Sequence, residues 1–376
     1  MLVGVLGGGQ LARMLALAGY PLGLRFRVLD PAERPPAAEL AAHVCGRYED
    51  PDAVARFAAD LDVCTYEFEN VPVETASLIE RQLPLYPSGT ALAHTQDRLA
   101  ERQFLCGLGI PVARFVAIDR LEELPDALSI VGTPAVLKRR RLGYDGRGQA
   151  IVRSRGDAAQ ARAWRTIGGG PAIVEELVPF RRELSLIAVR GRTGETRCYP
   201  LVENHHHDGM LRSSVAPAPD VSSRLDTEAR AHADRILGAL GYVGALTIEF
   251  FEHDDRLVVN ELAPRVHNSG HWTIEGAETS QFENHLRAIV GLPLGSTAPI
   301  GCTALVNVIG STPDPTAILC LPDTHLHLYG KTPRQGRKLG HVTARAPDAS
   351  TLAARLAHLR RLMPGDTKGH GSCEAR

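Results

Sequence analysis

Two acidic residues interrupt a pair of otherwise apolar segments in the second half of the chain. Glu249 lies in the predicted strand 246–251, Glu261 lies in the predicted strand 257–262, and a polar turn joins the strands. If the hairpin is centred on Asp255, the two carboxylates face each other with Cβ atoms roughly 5 Å apart. Two like charges at that separation repel unless one is protonated or a cation lies between them. Because hard oxygen ligands favour Mg²⁺, the pair predicts a metal site.

The position of the turn decides whether this prediction holds. A turn centred half a residue earlier would offset Glu249 from Glu261. Two solvated glutamates on an edge hairpin are the alternative to a metal site.

A basic, glycine-rich segment lies upstream of this hairpin. Lys138 ends the predicted strand 135–138, and Gly143, Gly146 and Gly148 follow among basic residues. Free backbone N–H groups in such a loop, with a lysine nearby, suit the phosphates of a nucleoside triphosphate. The Walker sequence G-K-[ST] is absent from the segment. It therefore predicts a triphosphate loop of another kind, with a basic surface loop as the alternative.

Acidic and histidine residues lie between these two features. The apolar strand 173–178 contains Glu175 and Glu176, and Glu183 follows it. Such a strand end can bind adenine through backbone groups and ribose hydroxyls through a carboxylate, or can simply be solvated. Three consecutive histidines, 205–207, point to alternate faces of a strand. They are not expected to bind a metal, although one of them is a plausible nucleotide contact.

Basic residues in two later segments suit phosphate binding. Arg265 follows Glu261 by four residues in a loop rich in Pro, Gly, Asn and Ser, where it can bind an acyl phosphate or a substrate phosphate bidentately. A second basic cluster in the last part of the chain comprises Lys331, Arg334, Arg337 and Lys338. This cluster predicts a phosphate pocket, with an ordinary basic turn as the alternative.

The N-terminus carries a glycine run with two interpretations. Gly7, Gly8 and Gly9 follow the predicted strand 2–6, and Asp30 ends the next strand. The pattern fits the G-x-G-x-x-A fingerprint of dinucleotide-binding folds. A tight strand–helix turn that binds another phosphate, or nothing, is the alternative.

The elements that carry these residues predict three units. Strands alternate with helices in residues 1–96, which predicts an α/β domain with a doubly wound parallel sheet. Residues 97–294 predict an α+β nucleotide-binding domain with antiparallel hairpins. Residues 295–376 predict a small, mainly-β C-terminal domain.

Composition restricts the partners and the compartment. The formal net charge is -1, so no global basic field indicates nucleic acid or a membrane surface as a partner. The seven cysteines contain no C-x-x-C pair, which makes a zinc site or a redox dithiol unexpected and suggests reduced thiols in a cytoplasm.

Taken in chain order, these motifs resemble the ATP-grasp enzymes. The stretches 66–72, 143–149, 260–272 and 336–341 resemble one family among them, the 5-(carboxyamino)imidazole ribonucleotide synthetases of purine biosynthesis. The likeness extends over nearly the whole chain. Ala12 stands where a glycine is expected after Gln-Leu, and this small residue should preserve the turn.

The resemblance implies a carboxylation reaction. ATP phosphorylates bicarbonate to carboxyphosphate, and the exocyclic amine of aminoimidazole ribonucleotide then takes the carboxyl group. ATP and Mg²⁺ are the implied cofactors, the ribonucleotide and bicarbonate are the implied substrates, and a cytoplasmic homodimer is the implied assembly.

The resemblance also implies the site residues. The implied ATP contacts are Arg98, Lys138, Gly143, Tyr144, Asp145, Gly146, Arg147, Gly148, Gln149, Glu175, Glu176, Leu177, Val178, Glu183, His206, Asn260 and Glu261. The implied ribonucleotide contacts are Glu67, Asp145, Arg147, Arg265, Lys331 and Arg337. Glu249 and Glu261 would hold Mg²⁺. The predicted catalytic residues are Lys138, Arg265 and Asp145, of which Asp145 either orients the amine or takes its proton.

Three other functions remain open at this point. One is an ATP-grasp relative that uses formate or biotin on another amine. Another is an NAD(P)-dependent oxidoreductase built on the Gly7–Asp30 fingerprint, which would give the acidic hairpin and the basic loop no role. The third is a regulatory module that binds nucleotide without turnover.

Overall fold

The computed structural model describes residues 1–143 and 146–364. The first unit is an α/β domain in which parallel strands pair in the order β3-β2-β1-β4. Its strands are β1 (Leu2–Leu6), β2 (Arg25–Asp30), β3 (Ala42–Cys45) and β4 (Val63–Tyr66). Its helices are α1 (Gln10–Gly19), α2 (Pro51–Ala58), α3 (Val73–Glu80) and α4 (Gly89–Gln96). Strand β1 is apolar throughout because neighbouring strands flank it on both sides and its residues are almost all buried.

A small antiparallel sheet follows and carries the basic loop. Helix α5 (Arg98–Gly107) leads into it. Its strands are β5 (Phe115–Ile118), β6 (Ala135–Arg139), β7 (Gln149–Val152) and β8 (Ala172–Glu176), paired in the order β5-β8-β6-β7. Helices α6 (Leu124–Val131) and α7 (Asp157–Thr166) cover it. The glycine-rich loop connects β6 to β7, as the sequence predicts.

A large antiparallel sheet forms the remainder of the described structure. Its strands are β9 (Arg182–Arg190), β10 (Thr196–Cys198), β11 (Val202–His207), β12 (Met210–Ala216), β13 (Gly244–His253), β14 (Arg256–Ala263), β15 (Cys302–Ile309), β16 (Thr324–Leu328) and β17 (Lys338–Ala346). They pair in the order β14-β13-β9-β11-β12-β15-β17-β16, and β10 pairs with β9. Its helices are α8 (Ser223–Ala239), α9 (Thr273–Gly276), α10 (Gln281–Val290), α11 (Pro315–Leu319) and α12 (Ala349–Leu362).

The pairing of β12 with β15 joins the last unit to the middle one. The strands of the C-terminal unit thus continue the middle sheet and do not form a separate layer. At the other end, α10 packs on α1, and Leu15 shares a core cluster with Leu286. The N-terminal unit is therefore held against the large sheet by buried apolar side chains. Across the described ranges, no helix is long and apolar enough to cross a membrane.

Candidate functional site

The acidic hairpin has a register that its sequence alone does not give. His253 pairs with Arg256, so the turn is Asp254–Asp255, and both residues have positive φ values of 48° and 53°. This turn is centred half a residue earlier than predicted. A β-bulge then adds one residue to β14, because Phe250 pairs with Val259 whereas Glu249 pairs with Glu261.

The extra residue of the bulge is Asn260, and it restores the facing arrangement of the two carboxylates. The predicted pairing of Glu249 with Glu261 is confirmed, whereas the predicted turn position is wrong. Desolvation and then the nearby Glu261 raise the pKa of Glu249. Positive charge also lies close, because Arg98 Nη1 is 3.3 Å from Glu261 Oε2.

The donor set of the hairpin fits a hard divalent cation. Two carboxylates provide oxygen ligands, and a cation between them would relieve their repulsion. Among the residues that the structure describes, no group of three or more His, Cys, Asp or Glu side chains could hold a metal ion. Two protein carboxylates are nevertheless a sufficient protein contribution for Mg²⁺, which commonly takes its other ligands from water and substrate phosphates.

Two cavities meet at this hairpin. The hairpin cavity, about 500 Å³, is lined by both glutamates and by residues of β6 to β8. The second cavity has a volume of about 420 Å³ and is lined by Gly9, Glu67 and Arg265 among others. We call it the glycine-loop cavity after the N-terminal glycine run. Five residues line both cavities and form what we call the shared wall: Arg98, Glu261, His267, Asn268 and Lys338. A group bound at the shared wall is thus accessible from both sides.

Most of the predicted nucleotide contacts line the hairpin cavity. These are Arg98, Lys138, Gly146, Arg147, Gln149, Glu175, Glu176, Leu177, Val178, Glu183, His206, Asn260 and Glu261. Gly143 lines the glycine-loop cavity instead, and Gly148 lines neither of the two. Tyr144 and Asp145 lie outside the described residues. Apolar side chains, including Val136, Ile151 and Leu211, complete the cavity and suit a flat aromatic base.

The lysine at the end of β6 belongs to a buried ion network. Lys138 Nζ lies 2.6 Å from one oxygen of Glu175, and Arg102 Nε lies 2.6 Å from the other. Burial opposes ionisation of Glu175, but Lys138 and Arg102 outweigh it and lower the pKa of Glu175 to about 2. Lys138 also donates to Asn260 Oδ1 at 3.4 Å, so the bulge and the lysine position each other.

This network changes the interpretation of the acidic strand end. The carboxylate of Glu175 is occupied by two cations, and Glu176 pairs with Arg114 at 2.6 Å. Glu183 instead lies 2.5 Å from His206 on the wall of the hairpin cavity. All three acidic residues thus line the hairpin cavity and have nitrogen partners, and their contacts with nucleotide stay predictions.

Carboxylates bind two amides of the glycine run and one amide of the helix that follows it. Gly8 N–H donates to Asp30 Oδ2 at 2.8 Å, Gly9 N–H donates to Glu67 Oε1, and Ala12 N–H donates to Glu67 Oε2 at 3.0 Å. Carboxylates thus occupy three of the amides around the start of α1, and this argues against the dinucleotide interpretation. Glu67 lines the glycine-loop cavity with both oxygens bound to backbone amides, and its contact with the ribonucleotide stays a prediction.

The close approach of Glu67 to the glycine run gives a stability prediction. A Cβ atom at Gly9 would collide with the Glu67 carboxylate, whereas a Cβ atom at Gly107 would meet nothing within 4 Å. Gly9→Ala should lower the free energy of unfolding by about 1–3 kcal/mol. Denaturant unfolding of this variant and of the matched Gly107→Ala variant tests this. Equal stability of Gly9→Ala and the wild type would show that Glu67 is not fixed at the helix start.

The predicted ribonucleotide contacts are divided between several places. Arg265 lines the glycine-loop cavity, and its Nε lies 2.7 Å from Glu69 Oε2. Lys331 donates to Gln10, another residue of that cavity. Arg147 lines the hairpin cavity instead, and Arg337 is outside both linings and donates to the carbonyl of Thr332.

Several site residues were missed at the sequence level. His267, Asn268 and Lys338 belong to the shared wall, Arg102 to the buried ion network, and Glu69 to the partner set of Arg265. A signal existed for two of them, because His267 and Asn268 are polar residues in the loop that continues from the acidic hairpin. Lys338 belongs to the basic cluster predicted to form a phosphate pocket, and the structure places it at the shared wall.

The C-terminal strands support the shared wall. Asn268 and Asn307 of β15 exchange two hydrogen bonds of 2.9 and 2.7 Å, and Asn307 also donates to Leu211 O at 2.8 Å. Lys338 is the first residue of β17. The last unit therefore contributes one wall residue directly and fixes another.

Comparison with known proteins gives consistent results along the chain. Family models match the ribonucleotide synthetase preATP-grasp domain at residues 1–96, the ATP-grasp domain at residues 103–282, and the phosphoribosylaminoimidazole carboxylase C-terminal domain at residues 303–355. The chain is 49% identical over 363 residues to the N5-carboxyaminoimidazole ribonucleotide synthase of Pseudomonas aeruginosa, covering 96% of this chain and 99% of that protein. The corresponding protein of Brucella melitensis is 45% identical over 349 residues, covering 92% and 96%.

Solved structures agree with the sequence comparisons. The N5-carboxyaminoimidazole ribonucleotide synthetase of Thermus thermophilus is 54% identical with a TM-score of 0.92, covering 96% of this chain and 98% of that chain. An Aspergillus clavatus synthase, solved with ADP and 5-aminoimidazole ribonucleotide, is 32% identical with a TM-score of 0.87, covering 96% and 97%.

Proposed function

Because the chain belongs to the N5-carboxyaminoimidazole ribonucleotide synthase family of ATP-grasp ligases, we propose that it carboxylates the exocyclic amine of 5-aminoimidazole ribonucleotide with ATP and bicarbonate. The observation that carries this proposal is the pair of cavities that meet at the shared wall. One cavity has the lining that a nucleoside triphosphate needs, and the other has basic and amide groups suited to a phosphorylated substrate.

A two-step reaction explains why two cavities must share a wall. Bicarbonate is a poor electrophile because its carbon carries the electron density of an anion. An oxygen of bicarbonate attacks the γ-phosphorus of ATP, ADP leaves, and the carbon gains phosphate as a leaving group. The amine nitrogen then attacks this carbon, the C–O bond to phosphate breaks, and the amine loses a proton. The acyl phosphate must therefore form where ATP and bicarbonate bind and must still be reached by the amine of the ribonucleotide, while water is excluded.

The residues have distinct proposed roles in these steps. Lys138 and Arg98 neutralise charge on the transferring phosphoryl group, which is the main contribution a protein makes to phosphoryl transfer. Arg265, on the other side of the shared wall, binds the intermediate or the ribonucleotide phosphate. Glu249 and Glu261 hold Mg²⁺, which supplies further charge neutralisation when bound. For Asp145, the two roles of orienting the amine and accepting its proton both remain predictions.

The assembly and the compartment follow from the same resemblance. We propose that the chain acts as a homodimer in the cytoplasm. Sedimentation of the purified chain at several concentrations tests the dimer, since a species of monomer mass at micromolar concentration would contradict it.

The reaction is tested by measuring ADP release with Mg-ATP. Full rates should require both bicarbonate and aminoimidazole ribonucleotide, and mass spectrometry should detect one added carboxyl group on the ribonucleotide. ADP release that ignores both substrates would overturn the proposal. Activity with formate in place of bicarbonate would assign the chain to the other ATP-grasp chemistry.

Removal of the divalent cation should stop the reaction. Without a cation, the triphosphate would meet two carboxylates, Glu249 and Glu261, across the same cavity, and like charges would repel. Excess EDTA should therefore abolish ADP release, and added Mg²⁺ should restore it. ATP binding, measured as the increase in the thermal unfolding midpoint when ATP is added, should weaken in parallel. An unchanged rate in EDTA would contradict the metal assignment.

A further inference from the structure

We propose that a buried hydrogen-bond chain, Ser214–Asn204–Ser185–Ser269, fixes His267 as the neutral tautomer that carries its proton on Nε2. The four residues of this chain would be positioning residues, because they act through His267. The catalytic part of this proposal rests on the proposed function. In that reaction His267 would act as a hydrogen-bond donor and not as a base, with its Nε2–H directed to an oxygen of the acyl phosphate at the shared wall.

The contacts of the imidazole decide where its proton lies. His267 Nδ1 accepts the backbone N–H of Ser269 at 3.3 Å and lies 2.9 Å from Ser269 Oγ. A backbone amide can only donate, so this long contact favours an unprotonated Nδ1, and the shorter contact with the Ser269 hydroxyl holds the ring in that state when the hydroxyl donates to Nδ1. The proton of the neutral imidazole then lies on Nε2. This atom is 3.6 Å from Glu249 Oε1, and both residues line the hairpin cavity.

The other three residues of the hydrogen-bond chain determine where the Ser269 hydroxyl directs its proton. Ser214 Oγ donates to Asn204 Oδ1 at 2.8 Å, which leaves Asn204 Nδ2 to donate to Ser185 Oγ at 3.0 Å. Ser185 Oγ then donates to Ser269 Oγ at 2.9 Å. Ser269 Oγ thus accepts from Ser185, and its own single proton is left to be donated to His267 Nδ1. Every donor in the chain therefore points toward the imidazole.

The four residues of the hydrogen-bond chain lie in the interior of the fold. Ser185 and Ser269 are fully buried, Ser214 is 1% exposed and Asn204 is 6% exposed. Buried polar groups are costly unless they are paired, and here each one is paired with the next. Ser185 lies directly opposite Glu249 across the β9–β13 pair, and Asn204 lies opposite Ser214 across the β11–β12 pair. The hydrogen-bond chain therefore lies on the same face of the large sheet as Glu249.

Nuclear magnetic resonance of ¹⁵N-histidine-labelled protein without ligands tests the tautomer directly. Two-bond ¹H–¹⁵N correlations distinguish the two tautomers, and loss of one ring signal in His267→Gln assigns the resonance. The wild type should show an unprotonated Nδ1. A proton on Nδ1, or on both nitrogens, at neutral pH would overturn the proposal.

Variants of Ser185 test the relay. Ser185→Ala should give His267 a mixture of tautomers and lower kcat about 10-fold, as loss of an outer-shell partner commonly does, while KM for ATP stays near the wild-type value. Ser185→Thr keeps the hydroxyl and should rescue both properties. Ser214→Ala, at the far end of the hydrogen-bond chain, should also give a mixture of tautomers and lower kcat.

A matched control separates the relay from the loss of any buried hydroxyl. Thr247 is fully buried on β13 and is not part of the chain, so Thr247→Val should change neither the tautomer nor kcat. A Ser185→Ala protein that is folded and keeps both the wild-type tautomer and kcat would overturn the relay. An Nε2–H tautomer in a wild-type protein that makes no carboxylated product would instead refute the proposed function and leave the tautomer assignment standing.

Discussion

Glu261→Gln is expected to lower kcat about 10²- to 10³-fold, the range seen when one preorganised charge-stabilising group is removed. The substitution keeps the shape of the side chain but leaves Glu249 as the only carboxylate of the facing pair. Binding of Mg²⁺ should weaken accordingly. The ligand-free protein should remain folded, because the substitution removes a repulsion as well as the contact with Arg98. Steady-state kinetics at saturating Mg-ATP, together with thermal unfolding, measures both effects.

A control for this variant lies in the same hairpin. Asp255→Asn removes one negative charge at an exposed turn residue that tolerates asparagine because its φ is positive. Its kcat should match that of the wild type. Full activity of Glu261→Gln would show that the facing carboxylates do not hold the catalytic cation.

Lys138→Met is expected to lower kcat by a similar factor, about 10²- to 10³-fold, and to raise KM for ATP. The methionine keeps most of the length of the side chain but removes the charge that faces the hairpin cavity. It also leaves Glu175 with Arg102 as its remaining cationic partner, which should cost about 1–3 kcal/mol of unfolding free energy.

A double variant separates these two effects. In Lys138→Met/Glu175→Gln the buried charge at position 175 is removed together with its partner, so part of the lost stability should return. Activity should not return, because the phosphoryl group still lacks the lysine. Arg139→Met, an exposed cation on the same strand, is the matched control and should be near wild type in both measurements. Recovery of activity in the double variant would show that Lys138 acts only through stability.

The sequence was sufficient wherever the decisive contacts are local along the chain. The hairpin that carries Glu249 and Glu261 is built from two adjacent strands, and its apolar and polar residues alone predict its existence. The basic loop between β6 and β7 is also local, since a strand end, three glycines and a lysine identify it. The fold class and the family follow from the order of such local motifs along the chain.

The tertiary structure decided every feature that depends on residues distant in sequence. The amides of the glycine run suit a phosphate by sequence, but Asp30 accepts the amide of Gly8 and Glu67, 58 residues after Gly9, accepts the amide of Gly9. The two glutamates face each other because a bulge at Asn260 corrects a turn that would otherwise offset them, and Asn260 is in turn bound by Arg102 and Lys138. Local propensity does not encode these contacts, since they form only when segments distant in the sequence come together in the fold.

The shared wall shows the same division. By itself the sequence determined the acidic hairpin, the basic glycine-rich loop and the units that carry them, because these are set by strand periodicity and turn chemistry. Only the tertiary structure decided that Arg98, His267 and Lys338, from three distant segments, meet at one wall between two cavities. The physical reason is that β12 pairs with β15 and thereby joins the last unit to the middle sheet, a non-local contact that no short pattern predicts.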